Sequence, residues 1–221
     1  MKDLSKIKFW LFDLDNTLYS GDTKVFDQVD KKMSKFISEK LNVSLEEAKK
    51  IQKNYFHEYN TTLNGMIKNH DIDGNEFLEF VHDVDLGFLK KNEPLKIEIE
   101  KLKGKKIIFT NGSKAHASNV TSRIGIEQLF DGVFDIVDSD FYPKPSMEPY
   151  KKIIENYKIV PEYCIFFEDI ARNLKPAYEL GMKTVWIENN EPWAAKYSDE
   201  EFVNYKTGSL TNFLKEINEH R

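Results

Sequence analysis

Short apolar runs alternate with amphipathic helical patterns along most of this chain, and that alternation restricts the fold more than any other feature. Residues 8–14, 105–110, 163–167 and 183–187 are rich in Ile, Val and Phe and bounded by polar or Gly signals, which predicts buried strands. Residues 132–137 form a weaker fifth. Between them, 95–102, 114–124, 147–157 and 171–180 carry helical spacing, the last closed by Gly181 as a C-cap. Strand then helix, repeated, predicts an α/β fold: a Rossmann-like, doubly wound parallel sheet that takes its ligand beyond the carboxyl ends of the strands.

One segment breaks the rhythm. From Asp22 to about Phe88 the apolar residues Val29, Met33, Phe36, Ile37 and Leu41, then Ala48, Ile51, Tyr55 and Tyr59, keep helical spacing with no convincing strand. The expected organisation is therefore a core of residues 1–20 and 90–221, with 21–89 inserted as an all-helical cap. Ser44-Leu45-Glu46-Glu47 is a capping box that starts one cap helix, and 75–84 reads as another. Residues 188–206 fit neither pattern, and Ser209 reads as the N-cap of a terminal helix through Ile217.

Composition narrows the class. With 40% hydrophobic residues the chain has enough for a sizeable core, which excludes disorder. The net charge of −5, with both signs interleaved, argues against a nonspecific nucleic-acid or anionic-membrane surface. No apolar run approaches the ~20 residues that span a bilayer. The opening Met1-Lys2-Asp3 leads into no basic and apolar leader, so no secretory signal is expected. Cys164, the single cysteine, lies in an apolar strand pattern, where a buried small hydrophobe in a reducing cytoplasm is the expectation.

The chemistry-bearing residues fall at strand ends. The first strand runs into Phe12-Asp13-Leu14-Asp15-Asn16-Thr17-Leu18-Tyr19, with two carboxylates two positions apart where a parallel strand enters the crevice. A Ca²⁺ loop is excluded because its sixth position, which demands Gly, is Leu18; Asp71-Ile72-Asp73-Gly74 has its Gly two positions too early. The second strand ends in Thr110-Asn111-Gly112, a hydroxyl and amides leading into a helix, which suits a phosphate oxygen but taken alone reads as a turn. Phe167-Glu168-Asp169 ends another strand with a second acidic pair, and Lys144 stands between Pro143 and Pro145. Carboxylates, a hydroxyl and one cation make an inventory for Mg²⁺-assisted phosphoryl transfer through a carboxylate nucleophile. Lys114 and His116, on the helix after Gly112, read as exposed helical residues, and His57, His70 and His82 match no metal-ligand spacing.

The ordered set Asp-x-Asp-x-Thr, hydrophobic-Thr-Asn, Lys-Pro and acidic pair resembles the haloacid dehalogenase superfamily over residues 8–187. Within it, 12–19, 109–117, 143–146 and the stretch from Glu168-Asp169 to Arg172-Asn173, with 55–65 and 81–85 of the cap, look most like the pyrimidine 5′-nucleotidase branch. The chain departs from that branch in having Glu168-Asp169-Ile170 where Asp-Asp-Ser is frequent.

The resemblance implies a C1-type helical cap, Mg²⁺ as cofactor and a small phosphomonoester, a UMP- or CMP-like nucleotide, as substrate. It implies that Asp13 attacks phosphorus, that Asp15 protonates the leaving oxygen and later deprotonates water, and that Thr110, Asn111 and Gly112 hold phosphoryl oxygens. Lys144 would neutralise charge. Asp13, the Asp15 carbonyl and Asp169 would ligate metal, with Glu168 direct or through water. Asn173 would orient the acidic loop or touch substrate, and Tyr55, His57, Tyr59 and Asn64 of the cap would line a nucleoside pocket. A phosphosugar phosphatase or a phosphomutase would use the same residues. A dehalogenase has no use for Asp15, and a binding protein on the same fold none for Asp13 or Asp169.

Overall fold

The computed structural model describes residues 4–189 and 191–220. Its centre is a six-stranded, all-parallel sheet of β1 (Phe9–Phe12), β2 (Lys105–Phe109), β3 (Gly132–Phe134), β4 (Cys164–Glu168), β5 (Lys183–Ile187) and β6 (Tyr205–Thr207), in the order β3-β2-β1-β4-β5-β6. The five expected strands are present. The sixth pairs with β5 at the end of the unassigned 188–206 stretch, running one residue past it, and is an edge strand of three residues, too short to show an alternation. Asn190, in the same stretch, lies outside the described residues.

Side-chain alternation along β1 builds both layers of the core. Trp10 and Phe12 face one side with Ile108, Phe167 and Val185, where they meet α5 (Glu93–Lys101), α6 (Lys114–Ile124) and α10 (Leu210–Glu219). Leu11 faces the other with Ile107, Phe109, Phe166 and Trp186, covered by α7 (Met147–Tyr157) and α8 (Leu174–Glu179). Phe12 stacks on Phe167 at 4.9 Å and 9°, locking β1 against β4. The helix expected over 171–180 opens as a 3₁₀ turn, Ala171–Asn173, before α8 begins, and Gly181 follows it at φ +95°. Ser209 accepts from the Asn212 amide and caps α10 as its sequence predicts.

Between β1 and β2 the chain forms α1 (Val25–Leu41), α2 (Leu45–Tyr59), α3 (Thr62–His70) and α4 (Gly74–His82), which share an apolar cluster around Phe36, Ile37, Met66, Phe77 and Val81, joined by Ile136 and Phe141 from the segment after β3. Ser44 accepts from the Glu47 amide, as a capping box requires. A short helix, α9 (Pro192–Ala195), lies in the 188–206 stretch. Among the described residues no helix is long and apolar enough to cross a membrane.

Candidate active site

β1 lies between β2 and β4, and the order reverses there: β1 pairs with β2 on one side and β4 on the other, Phe12 facing both Ile108 and Phe167. A crevice opens at such a switch point because the connections leave β1 and β4 toward opposite faces. Asp13 and Thr110 lie just past the ends of β1 and β2, and Glu168-Asp169 span the end of β4, so sequence positions 13, 110, 168 and 169 converge at one place.

Lys144 ties the group together. It is 1% exposed, and its Nζ donates to Asp13 Oδ1 at 2.7 Å, Glu168 Oε2 at 2.6 Å and the Phe109 carbonyl at 2.8 Å. All three ammonium protons are used, which is the condition for burying the charge. Burial lowers the Lys144 pKa, but Asp13 and Glu168 outweigh it and keep the ammonium charged. The Asn111 side chain fixes the loop, Oδ1 accepting from the Lys144 amide at 2.9 Å and Nδ2 donating to the Lys144 carbonyl at 3.4 Å.

Asp13, Glu168 and Asp169 are buried and each offers an oxygen within 4.8 Å of the others. Three carboxylates therefore face one ammonium. Burial, then Glu168, pushes Asp13 to about 7 against the pull of Lys144, and burial, Glu168 and Asp13 push Asp169 well above the usual carboxylate range. Asp169 Oδ2 accepts from Asn189 at 2.7 Å, and its carbonyl accepts from the Trp186 indole. Hard oxygen donors with uncompensated negative charge fit a divalent cation that keeps several waters, such as Mg²⁺. Glu168 is the least available of the three, because Oε2 accepts from Lys144 and Oε1 from Asn173 Nδ2 at 3.1 Å and the Ile170 amide at 3.2 Å. Asn173 is buried and oriented by that bond, so the structure places it on the acidic loop.

Asp15 stands apart from the triad. His116 Nε2 donates to its Oδ1 at 2.8 Å and the Tyr19 hydroxyl donates to the same oxygen at 2.5 Å. Burial pushes the Asp15 carboxyl up, but His116 and Tyr19 outweigh it and hold it at about 2. His116 is the main correction to the sequence reading. The expected exposed helical residue is 1% exposed, on the inner face of α6, while Lys114 is exposed and pairs with Asp138 at 2.7 Å. His82, at the end of α4, stacks on His116 at 4.3 Å and 9° and bonds Ser113 Oγ through Nδ1 at 3.0 Å.

Of the four residues of the helical insertion expected near substrate, Tyr55, Tyr59 and Asn64 bond within the insertion and His57 faces solvent. Tyr55 bonds His70 at 2.7 Å, Tyr59 makes an edge contact with Tyr55 at 5.6 Å, Asn64 Nδ2 donates to the Tyr59 carbonyl at 2.9 Å, and His57 is exposed. On α2 the residues that meet the core are Phe56 and Asn60, one turn apart: Arg172 lies over the Phe56 ring at 4.7 Å and donates to the Asn60 carbonyl at 3.3 Å, and Trp193 contacts the same ring at 5.1 Å. Helical spacing could have flagged the pair 56 and 60 as readily as 55 and 59; only the packing of α2 on α3 decides which face turns inward.

A doubly wound sheet that gathers a carboxylate, a buried lysine and an acidic pair at its switch point, with a helical insertion after the first strand, is the architecture of a class of hydrolases. The chain belongs to the haloacid dehalogenase-like hydrolases, whose family model matches residues 7–181. It is 30% identical to phosphate metabolism protein 8 of Saccharomyces cerevisiae, over 95% of this chain and 70% of that one. It is 27% identical to a glyceraldehyde 3-phosphate phosphatase of Methanocaldococcus jannaschii, over 94% and 96%. Among solved structures, a haloacid dehalogenase-type phosphatase from Thermococcus onnurineus superposes with a TM-score of 0.62 at 21% identity, covering 96% of this chain and 98% of that one. The L-2-haloacid dehalogenase of Xanthobacter autotrophicus gives 0.59 at 11% identity, covering 97% and 100%, a likeness of fold alone.

Proposed function

We propose that this protein is a Mg²⁺-dependent phosphomonoester hydrolase acting through an aspartyl-phosphate, with the pyrimidine nucleoside 5′-monophosphates UMP and CMP as substrates and residues 21–89 as the cap over the site. The observation that carries the reaction is Asp13: a buried carboxylate held by Lys144, with Asp15 two residues on and Thr110 across the crevice.

In this reading an Asp13 oxygen attacks phosphorus while the bond to the ester oxygen breaks, and Asp15 gives that oxygen its proton. Asp15 then takes a proton from the water that attacks the phosphorus of the aspartyl-phosphate, releasing inorganic phosphate and restoring Asp13. The substrate's phosphate charge raises Asp15 from its value in the free site, since a nearby anion favours the neutral carboxyl. Lys144 aims Asp13 and opposes the burial and the Glu168 charge that raise its pKa. Thr110 Oγ1, which accepts from the Gly112 amide at 2.9 Å and keeps its own proton to donate, and the Asn111 amide receive the phosphoryl oxygens. Asp13, the Asp15 carbonyl and Asp169 would hold Mg²⁺, with Glu168 through water; the ion supplies charge neutralisation for two anions brought together.

The nucleotide assignment rests on the sequence resemblance of 12–19, 109–117 and 168–173 to the pyrimidine nucleotidase branch. The name of the archaeal relative favours a second reading, a phosphosugar phosphatase. Phosphate release from UMP, CMP, AMP, GMP and glyceraldehyde 3-phosphate, with Mg²⁺ and with chelator, separates them. UMP or CMP turned over well above the rest supports the first reading, and glyceraldehyde 3-phosphate well above the rest replaces it with the second. Release from none, by folded and Mg²⁺-loaded protein, refutes hydrolysis.

A further inference from the structure

His116 and His82 have no part in the reaction as written, yet they are placed where it happens. His116 comes from the core helix α6, and His82 is the last residue of the cap helix α4. The two imidazoles lie parallel at 4.3 Å, and His116 passes a hydrogen bond of 2.8 Å to Asp15. Ser113 Oγ joins both, accepting from the His116 amide at 3.2 Å and bonding His82 Nδ1 at 3.0 Å. His82 also lies over the phosphate-loop backbone: a Cβ on Gly112 would stand 3.5 Å from its Nε2.

This chain of contacts runs from the cap to one side chain of the reaction. α4 packs into the helical cluster through Phe77, Leu78 and Val81. If the cap lifts, His82 leaves the face of His116, and the ring holding Asp15 loses one wall of its slot. We infer that His116 is a positioning residue for Asp15 and that His82 makes this positioning conditional on the cap being seated. Asp15 is thus aimed at the leaving oxygen only when the cleft is covered, which suppresses proton delivery in an open, wet site. The inference rests on the Asp15 role in the proposed reaction and adds to it which groups set that residue.

The test uses two phosphomonoesters that differ in their need for a general acid: p-nitrophenyl phosphate, whose leaving phenolate departs without a proton, and an alkyl ester, UMP or glycerol phosphate. The quantity read is kcat/KM, which reports events through the first irreversible step and so excludes hydrolysis of the phosphoenzyme. For His116→Ala the alkyl ester should lose ~10²-fold and the nitrophenyl ester less than ~5-fold, the range that a misplaced general acid commands. His116→Gln, which keeps an amide donor near the Nε2 position, should recover the alkyl ester to within ~10-fold of wild type. His82→Ala should lower the alkyl ester selectively by ~10-fold, and His82→Phe, which keeps a flat ring on His116, should restore it.

Equal losses on both esters in His116→Ala mean a structural role and overturn the inference, as does a wild-type ratio of the two esters in His82→Ala. The underlying reaction fails separately: Asp15→Asn that leaves the ratio of the two esters unchanged removes Asp15 as the acid, whatever the histidine variants do.

Discussion

Replacing Asp13 by Asn should abolish turnover and at the same time make the metal-free protein more stable at alkaline pH. Asp13 is 7% exposed and shares a buried corner with Glu168 and Asp169, where Lys144 supplies the cation. Its pKa stands at about 7, against an ordinary 3.8, because burial and Glu168 oppose its charge. An acid whose folded pKa is raised binds its proton more tightly in the folded state, so the stability it confers is complete below the unfolded value. It is lost as pH climbs from about 4 to about 7. At 1.36 kcal/mol per pH unit, that interval corresponds to about 4 kcal/mol, which the ionised wild type forgoes and the neutral amide of the Asp13→Asn variant does not. Asn keeps an oxygen that accepts from Lys144, so the packing is retained. The difference should therefore be near zero at pH 4 and approach about 4 kcal/mol at pH 8, or roughly 8–16 °C in Tm for a chain of this length. Urea unfolding of both proteins in chelator at pH 4, 6 and 8 measures it. A difference that is independent of pH, or an Asp13→Asn protein less stable than wild type at pH 8, would falsify the claim that the triad is electrostatically strained.

Other consequences are testable in the same preparations. Mg²⁺ added to wild type at pH 8 should raise Tm, by the equivalent of ~2.7 kcal/mol at a hundredfold excess over its Kd, with little effect on Asp13→Asn; no metal-dependent shift would argue against a cation among these carboxylates. Thr110→Val keeps the shape but removes a phosphoryl donor, and should lower kcat by ~10²–10³-fold with an unchanged circular dichroism spectrum, the loss seen for a single oxyanion donor. Lys144→Met leaves the carboxylates without their cation and should destabilise the protein at pH 8 by about 3–5 kcal/mol, the penalty for a broken buried pair, and by less at pH 5, where the carboxylates protonate. Gly104→Ala should cost at least about 1–3 kcal/mol in urea melts, since Gly104 sits at φ +104° and a Cβ there would meet the Lys8 carbonyl at 2.2 Å; an unchanged midpoint would contradict that close approach.

The fold and the strand-end acids were legible in the sequence because they depend on local pattern. Leu11-Phe12 followed by Asp13, or Phe166-Phe167 followed by Glu168 and Asp169, is a buried parallel strand meeting the crevice, and a parallel sheet sends every such end to the same edge. Lys144 was legible as a rigidly flanked cation. What a linear reading could not reach was partner choice across the molecule. His116 lies 101 residues from Asp15; helical spacing puts it on the same buried face of α6 as Ala117, Val120 and Ile124, but nothing in the local sequence names Asp15 as its partner. The cap shows the same limit: α2 offers aromatic residues at 55, 56 and 59, and which of them meets the core depends on how α3 packs, with Gly65 so close to Tyr55 that a Cβ would lie 2.4 Å from that side chain. Edge strand β6 was missed because three residues carry too little pattern against a stretch rich in turns.

The electrostatic pattern explains why these particular groups lie together. Folding alone would disfavour placing Asp13, Glu168 and Asp169 within 4.8 Å of one another, and the sheet's core, with Phe12 on Phe167 and Phe109 against Phe166, provides the rigidity that keeps them there. Lys144 neutralises one charge and leaves the site short of positive charge, a deficit that a divalent ion relieves and an incoming phosphate would worsen. Metal should therefore precede substrate on the enzyme. Phosphate-ester binding measured by calorimetry should be weak or absent in chelator and recover with Mg²⁺, whereas Mg²⁺ should bind without ester. Equal ester affinity in both conditions would mean that Thr110, the loop amides and Lys144 suffice to hold the phosphoryl group, and that the excess of carboxylates serves some purpose other than a cation.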